Sequence, residues 1–599
     1  MQHVSTLRRG PASCALTLDG NGCLFRPSGR AMLALALAML PVASAFSQAN
    51  SPAAAASQEL LREQERARLL REQLERRPDV RLPGAAVAAD TTRLTFDEKP
   101  CFTINSIVLQ GDAADQFQWA LAAAGLASAG KPDPAVGRCL GARAIDLVVR
   151  RVQNAILARG YVTTRVLVAP QDLKGGVLTL TLIPGRLRSV RLLPGSDARA
   201  NVANAVPSQP GDLLKLRDVE QALENFKRVP TADADIQIEP AADAGAGPGE
   251  SDLAIKWRQE RRYRISMTAD DACGDATGRY QGGVTLSLDH ALGQNDLFYA
   301  SYNHDLGLAS DHRGTRSRAL HYSLPFGYWL VGLTASDSAY HQTVIGATQD
   351  YGYSGTSRNG DIKVSRLVYR DADSKSTLSL RMWQRASRNF IDDTEVQVQR
   401  RRMGGWEFGI EQRENFGAAT LEAHLNYRRG TGAFGAERAP EELFGDGTSR
   451  FALITADANL SVPFALGASK LRYTGTWRVQ NNRTPLLAQD RFAIGGRYTV
   501  RGFDGDASLV AERGWLVRNE VGMPAGLPNT EAYVGLDHGQ VSGPGIHQLL
   551  GTSLTGAVAG LRGQIRAVQF DVFVGTPLHK PDLFRTADYT VGFSMNSSF

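Results

Sequence analysis

No stretch of this chain approaches the roughly 18 consecutive apolar residues that a membrane-spanning helix needs, although 43% of its 599 residues are hydrophobic. Mean hydropathy is −0.23. That argues against a bundle of spanning helices but not against a β-barrel, whose strands dilute their own hydrophobicity with lumen-facing side chains. Catalytic chemistry is scarce too. There is no Ser/His/Asp order, no carboxylate pair in a cleft-forming context and no phosphate loop; Gly495-Gly496 has no helix after it. The cysteines and histidines lack metal-ligand spacing. A formal charge of +6 is small for this length and supports no nucleic-acid partner. The length itself exceeds one ordinary domain and suffices for a large barrel with accessory modules.

What is present is clearest at the end. In Asp588-Tyr-Thr-Val-Gly-Phe-Ser-Met-Asn-Ser-Ser-Phe599, Tyr589, Val591, Phe593 and Met595 point one way and Thr590, Gly592, Ser594 and Asn596 the other. A period-two segment of about ten residues with one apolar and one polar face suits a strand between lipid and an aqueous lumen. A terminal aromatic on such a strand resembles the signal that outer-membrane barrels present to their assembly machinery. The strongest apolar run, 31–45, follows Arg26 and Arg30 and closes on Ala43-Ser44-Ala45. These features predict a signal peptide over 1–49, cleaved after Ala45 or Ala49. Its basic flank is long, so either the signal is extended or translation starts further downstream. Cys14 and Cys23 leave with it, and Cys101, Cys139 and Cys273 remain. In an oxidising periplasm Cys101 and Cys139 are candidates for a disulfide within one small domain, worth about 3 to 4 kcal/mol on a chain-entropy basis. Two free thiols are the alternative, and Cys273 has no mature partner.

Residues 50–99 contain SQELLREQERARLLREQLERR at 57–77, without Gly or Pro and rich in helix formers. Ser57 and Glu59 offer an approximate start and Pro78 a stop. Leu60, Leu61, Leu69, Leu70 and Leu74 form a narrow stripe on an otherwise charged surface, so this helix suits water or a polar pore and not lipid. Residues 80–99 read as a linker reaching at most about 65 Å. From 100 to 185 the pattern is strand (102–110), helix (114–124), helix (142–159, with Gly160 as C-cap), then strands at 161–168 and 176–183. From 186 to 260 it repeats more loosely, with strands at 187–193, 234–239 and 251–258 and a helix at 216–228. Cys101-Phe-x-Ile, Gly137-Arg-Cys139-Leu, Arg159-Gly-Tyr-Val-Thr, Pro170-Gln-Asp-Leu and Ile183-Pro-Gly resemble the first POTRA module of two-partner secretion transporters, outer-membrane pores that export one dedicated protein. A generic α+β domain would explain the elements but not five local matches in order.

From 261 to 599 about sixteen alternating segments are bounded by turn residues, near 262–269, 279–289, 296–304, 315–325, 328–338, 360–370, 375–386, 401–413, 418–427, 451–462, 470–480, 514–523, 531–537, 554–563, 567–575 and 588–599. An even number lets both ends meet and close the edge. Asp270-Asp271-Ala-Cys-Gly274 and Gly278-Arg-Tyr again resemble the family. A long loop at about 481–513 carries Val500-Arg501-Gly502-Phe503, similar to the family's VRGY/F tip, which folds into the lumen. The resemblance implies a lock in which Arg501 pairs with the Asp of an F-x-D-x-G strand. Here that is Asp537, in Gly535-Leu-Asp-His-Gly539, with Gly535 standing where the pattern has Phe. Val534 and Leu536 alternate onto the opposite, lipid-facing side. A solvated turn arginine is the alternative; Arg513-Gly-Trp and Arg518-Asn-Glu520 close behind favour the lock. Tyr299, Tyr302, Tyr322, Tyr328 and Trp329 read as interfacial girdle or wall residues, and Arg400 to Arg402 as a solvated loop end or strand start.

The chain is therefore expected to be mainly β: a 16-stranded transmembrane barrel (261–599) preceded by two α+β POTRA modules (100–185 and 186–260) and an N-terminal plug helix. The resemblance implies a bacterial outer-membrane pore with periplasmic POTRA modules, no enzymatic activity, no cofactor and no use of ATP. The implied partners are a large secreted β-helical exoprotein of haemolysin or adhesin kind, outer-membrane lipid, and the barrel-assembly machinery. Alternatives are an insertion factor of the same superfamily and a passive diffusion porin.

Overall fold

A computed structural model describes residues 52–75, 78–83, 92–94, 97–127, 131–242, 245–307, 313–345 and 348–599, with backbone alone at 52–57 and 345. The expected signal peptide, with Cys14 and Cys23, lies outside the described residues. The first element is the helix Pro52–Leu74. It starts ahead of the expected Ser57 because Pro52 suits the first helical turn and Ala53 to Ala56 are the strongest helix formers.

The first small domain packs the helix Ala142–Ala158 on a three-stranded sheet. In that sheet Ser106–Gln110 runs parallel to Val177–Ile183, and Arg165–Leu167 antiparallel to it. The expected single strand over 102–110 is broken in two. Phe102–Thr103 pairs with Cys139–Leu140, then the chain changes partner after the buried Ile104. The disulfide Cys101–Cys139 sits at this corner, with Cα atoms 5.3 Å apart. The expected short helix is instead a 3-10 helix, Ala114–Gly125. Its buried Ala114, Phe117, Ala120 and Ala124 fall near the three-residue repeat of that winding. The strand expected over 161–168 is shorter, Arg165–Leu167.

The second domain lays the helix Leu216–Phe226 against the sheet formed by Arg186–Leu192, Glu250–Gln259 and Ala232–Pro240. Leu187, Val219, Ala222, Phe226, Ile255 and Trp257 form its core. A short helix not foreseen, Val202–Ala205, carries Asn204 toward the barrel. Only residues 260–262 separate Glu250–Gln259 from the first wall strand, Tyr263–Asp270.

The wall is a closed barrel of antiparallel neighbours, and the last strand, Thr590–Ser598, pairs with the first. Its sixteen long strands coincide with the sixteen expected segments, and the two-residue Thr394–Glu395 adds a small extension. Four strands run five residues or more beyond the expected bounds at one end: Trp329–Ile345, Asp350–Arg370, Ser374–Ile391 and Thr530–Ser542. Where a hairpin stands beyond lipid, its backbone still pairs but the outward apolar signal fades, so 339–359 reads as loop. Within the wall the alternation is plain: Val534, Leu536, Val572, Val574 and Val591 are exposed on the outside, while Tyr533, Asp537, Phe573 and Thr590 are buried on the inside. Two aromatic assignments change. Tyr299 is buried inward and stacks on His321 at 4.9 Å, and the Tyr328 hydroxyl donates to Asp218 of the second domain. Tyr302 and Trp329 are exposed on the wall and Tyr322 is half-buried. Arg401 opens the strand Arg401–Phe416 and pairs with Glu441.

Short turns join the strands at one end of the barrel, and the second domain docks there. The Gly327 N–H donates to the Asn204 carbonyl at 2.8 Å, Thr231 Oγ1 to Asp289 Oδ2 at 2.8 Å, and Asn295 Nδ2 to Asn204 Oδ1 at 2.7 Å.

Candidate functional site in the barrel lumen

The helix Pro52–Leu74 lies inside the barrel. At 1.5 Å per residue it is about 35 Å long, enough to traverse a bilayer-thick pore. Polar contacts hold it. Gln58 Nε2 donates to Ser508 Oγ at 2.6 Å, and Arg62 to the Gly505 carbonyl, both on the long loop. Thr277 Oγ1 donates to Glu59 Oε2 at 2.9 Å, and Arg66 Nη2 to the sulfur of Cys273 at 2.6 Å. From the wall, Arg478 reaches Glu65 at 2.7 Å and His321 reaches Glu75, just past the helix end, at 2.9 Å. The leucine stripe contributes unevenly. Leu74 is 3% exposed, in the cluster with Leu187, Trp257 and Tyr299. Leu60, Leu61 and Leu70 are half-buried and Leu69 is exposed, all four lining a cavity of ≈ 1650 Å³ beside the helix.

The long loop, between strands ending at Asn482 and starting at Arg513, folds inward as a small body with its own hairpin, Phe492–Ile494 against Leu509–Ala511. Ile494, Val500, Phe503, Leu509, Leu516, Leu554 and Phe584 form a core for it, and Phe503 meets Phe584 edge to face at 5.9 Å. Arg501 is brought to Asp537: Nε lies 2.7 Å from Oδ2 and Nη2 2.8 Å from Oδ1, and the Arg501 backbone N–H donates to Oδ2 at 3.0 Å. This is a bidentate fork, the geometry that favours Arg over Lys. Arg501 is 2% and Asp537 0% exposed. Gly502 has φ +96°, and a Cβ there would lie 2.5 Å from the Thr576 carbonyl oxygen, so no larger residue fits the tip.

Three further groups complete this site: Glu520 and Gly535, noted in the sequence without an assigned contact, and Gly556, not noted there. Glu520 takes the remaining Nη1 of Arg501 and also accepts from Arg562 at 2.8 Å. Gly556 of the wall has no room for a side chain, since its Cβ would lie 1.8 Å from the Arg501 carbonyl oxygen. Gly535 leaves space for the arginine, because a Cβ there would lie 3.1 Å from Nη2. The visible signal was a strand glycine, which often marks close backbone approach.

The described part of the linker is bound rather than free. Asp79 pairs with Lys375 at 2.6 Å and with Arg413 at 3.4 Å, and Leu94 N–H donates to Asp133 Oδ2 at 2.9 Å. Burial would raise the Asp79 carboxyl, but hydrogen bonds from Lys375 and Arg81 and the nearby positive charges lower it to about 2. In the first domain Arg151 meets the buried Asp133 at 2.6 Å.

Comparison with known proteins supplies the context for this geometry. Residues 102–185 match a ShlB-type POTRA domain and 186–240 a further POTRA domain. Residues 249–563 match the haemolysin secretion/activation protein ShlB/FhaC/HecB. The chain is 35% identical over 594 residues to the outer membrane transporter CdiB-2 of Burkholderia pseudomallei (strain 1026b), covering 95% of this chain and 100% of that one. It is 25% identical to the hemolysin transporter protein ShlB of Serratia marcescens over 391 residues, 64% of this chain and 66% of that one. The solved structure of CdiB from Acinetobacter baumannii superposes with a TM-score of 0.79 at 29% identity, covering 91% of this chain and 99% of that one. The protein therefore belongs to the ShlB/FhaC/HecB family of two-partner secretion transporters, and is an outer-membrane pore with periplasmic POTRA domains, not an enzyme.

Proposed function

We propose that the protein exports one dedicated exoprotein, received unfolded in the periplasm by the POTRA domains and passed outward through the lumen without ATP. The plug carries this reading. A helix tied to its surroundings largely by side-chain bonds can leave without opening a sheet, and a lumen that holds a helix of about 10 Å diameter accommodates an extended chain. The partner in this reading is a large secreted β-helical protein of haemolysin or adhesin kind, and the relative named a hemolysin transporter supports the haemolysin kind. For recognition, the edge strand Arg165–Leu167 of the first domain ends on exposed Leu167, with exposed Val168 following it. Such an edge can receive an added strand once the Gln153 side chain, whose Oε1 accepts from the Val166 N–H at 2.7 Å, moves aside, main-chain bonds giving affinity and side-chain pockets giving specificity. The barrel-assembly machinery and outer-membrane lipid complete the set of partners, and folding outside the cell supplies the direction.

Conductance and export, read together, test the proposal. Removing the helix is expected to raise single-channel conductance, and export of a co-expressed cognate exoprotein is expected to require the POTRA domains. Unchanged conductance without the helix would remove the plug. A passive porin predicts that the POTRA domains are dispensable, and an insertion factor predicts that their loss impairs assembly of other barrels.

A further inference from the structure

The linker behind the plug is bound as an extended peptide. Residues 78–83 read Pro-Asp-Val-Arg-Leu-Pro, and the two prolines bias the chain between them toward extended conformations. The Val80 N–H donates to Glu224 Oε1 at 2.9 Å and the Leu82 N–H to Glu220 Oε1 at 2.9 Å. The Val80 carbonyl accepts from Arg370 Nη2 at 2.6 Å. Donors two residues apart are what a strand presents along one edge, and here two carboxylates one helical turn apart on Leu216–Phe226 replace the carbonyls of a neighbouring strand. Val80 and Leu82 pack against the core of the second POTRA domain, while Asp79 meets Lys375 and Arg413 of the barrel.

The receiving side is built for this. Glu220 is 0% exposed, and Arg370 bridges Glu220 at 2.9 Å and Glu224 at 3.0 Å. Charges buried this far need partners, and backbone N–H groups of an extended chain supply them whatever its side chains. Leu70 and Leu74 of the plug belong to the same apolar cluster as Val80 and Leu82. The linker and the inner end of the plug thus share one mooring.

We propose that this groove, between Leu216–Phe226 and the start of Ser374–Ile391, is a receptor for an extended segment of the exported partner with the pattern acidic–aliphatic–any–aliphatic, and that the linker is its resident competitor. The proposal rests on the export reading above. The aliphatic positions present the two N–H groups to Glu224 and Glu220, and the acidic position faces Lys375 and Arg413. Arrival of the segment displaces residues 79–82 and loosens the plug at its inner end.

The test uses the full-length protein in planar bilayers and the peptide acetyl-Pro-Asp-Val-Arg-Leu-Pro-amide, added on the POTRA side. Opening events are expected to rise about tenfold with the peptide and not with a control carrying Ser at both aliphatic positions. Independently, the double substitution Val80→Ser, Leu82→Ser in the full chain is expected to raise opening about tenfold with no peptide present. No change with either peptide or variant overturns the groove, as does equal opening by the serine control. If the cognate exoprotein is still exported in that case, only the groove inference falls. If the intact wild-type pore exports no partner, the export reading falls and takes the groove with it.

Discussion

Arg501 serves two carboxylates at once, Asp537 through a fork and Glu520 through its remaining nitrogen. Arg518 stands further off, 3.8 Å from Asp537. Arg501→Ala therefore strands a fully buried carboxylate and is expected to cost about 3 to 5 kcal/mol, read as a lower unfolding temperature of the barrel and a sharp loss of export. Arg501→Lys, which keeps the charge but not the fork, should lose less, and Glu520→Gln least, because Asp537 keeps its bonds. The double variant Arg501→Ala, Asp537→Ala should be little worse than either single one, and strictly additive losses would show that the two do not act as a unit. Asp537 was legible because Gly535-Leu-Asp-His-Gly539 resembles the family's F-x-D-x-G strand, and the alternation of Val534 and Leu536 onto the lipid side turned it to the lumen. The contact that Glu520 makes was not, because it stands opposite Gly535 across the strand pair, and register between strands leaves no trace in the spacing along one of them. The glycine and the glutamate together make the space that the arginine fills.

At the level of elements, the first POTRA domain holds a charged pair in its interior. Burial would raise the Asp133 carboxyl, but hydrogen bonds from Arg151 and the Leu94 N–H, with the Arg151 and Arg138 charges, hold it below its ordinary value. A depressed folded-state value means stabilisation that is present above the unfolded value and lost as the pH falls through the folded one. The urea midpoint of this domain is thus expected to drop on acidification below about pH 4, and Asp133→Asn should flatten that limb while lowering the midpoint at neutral pH. Of the elements themselves, the Ala142–Ala158 helix and the wall strands were legible because burial repeats in their sequences at 3.6 or at 2. The split strand at Ile104 was not, since Phe102 to Gln110 alternates throughout and the change of partner is set by what lies across it. The 3-10 winding of Ala114–Gly125 was equally hidden, because a short run of alanines serves either winding.

On the scale of the whole molecule, short connections fix the order of parts: residues 260–262 join the second POTRA domain to the wall, and residues 75–79 lead from the plug to the bound linker. This order was legible because each part carries its own local pattern; how the linker is seated was not, because Asp79 to Leu82 answers to residues on two other parts of the chain. The plug has one more property. Pro52–Leu74 contains four glutamates and four arginines, so as a body it carries no net charge. A potential across the bilayer does about 2.3 kcal/mol of work per 100 mV on each uncompensated charge it moves, and here only the partial charges at the helix ends couple to it. Opening frequency should then depend only weakly on the polarity of applied voltage, whereas Glu72→Gln, at an exposed position, leaves the helix with one positive charge and should make opening depend more steeply on the field. A helix without net charge is thus expected to answer to contact with other molecules far more than to the applied field.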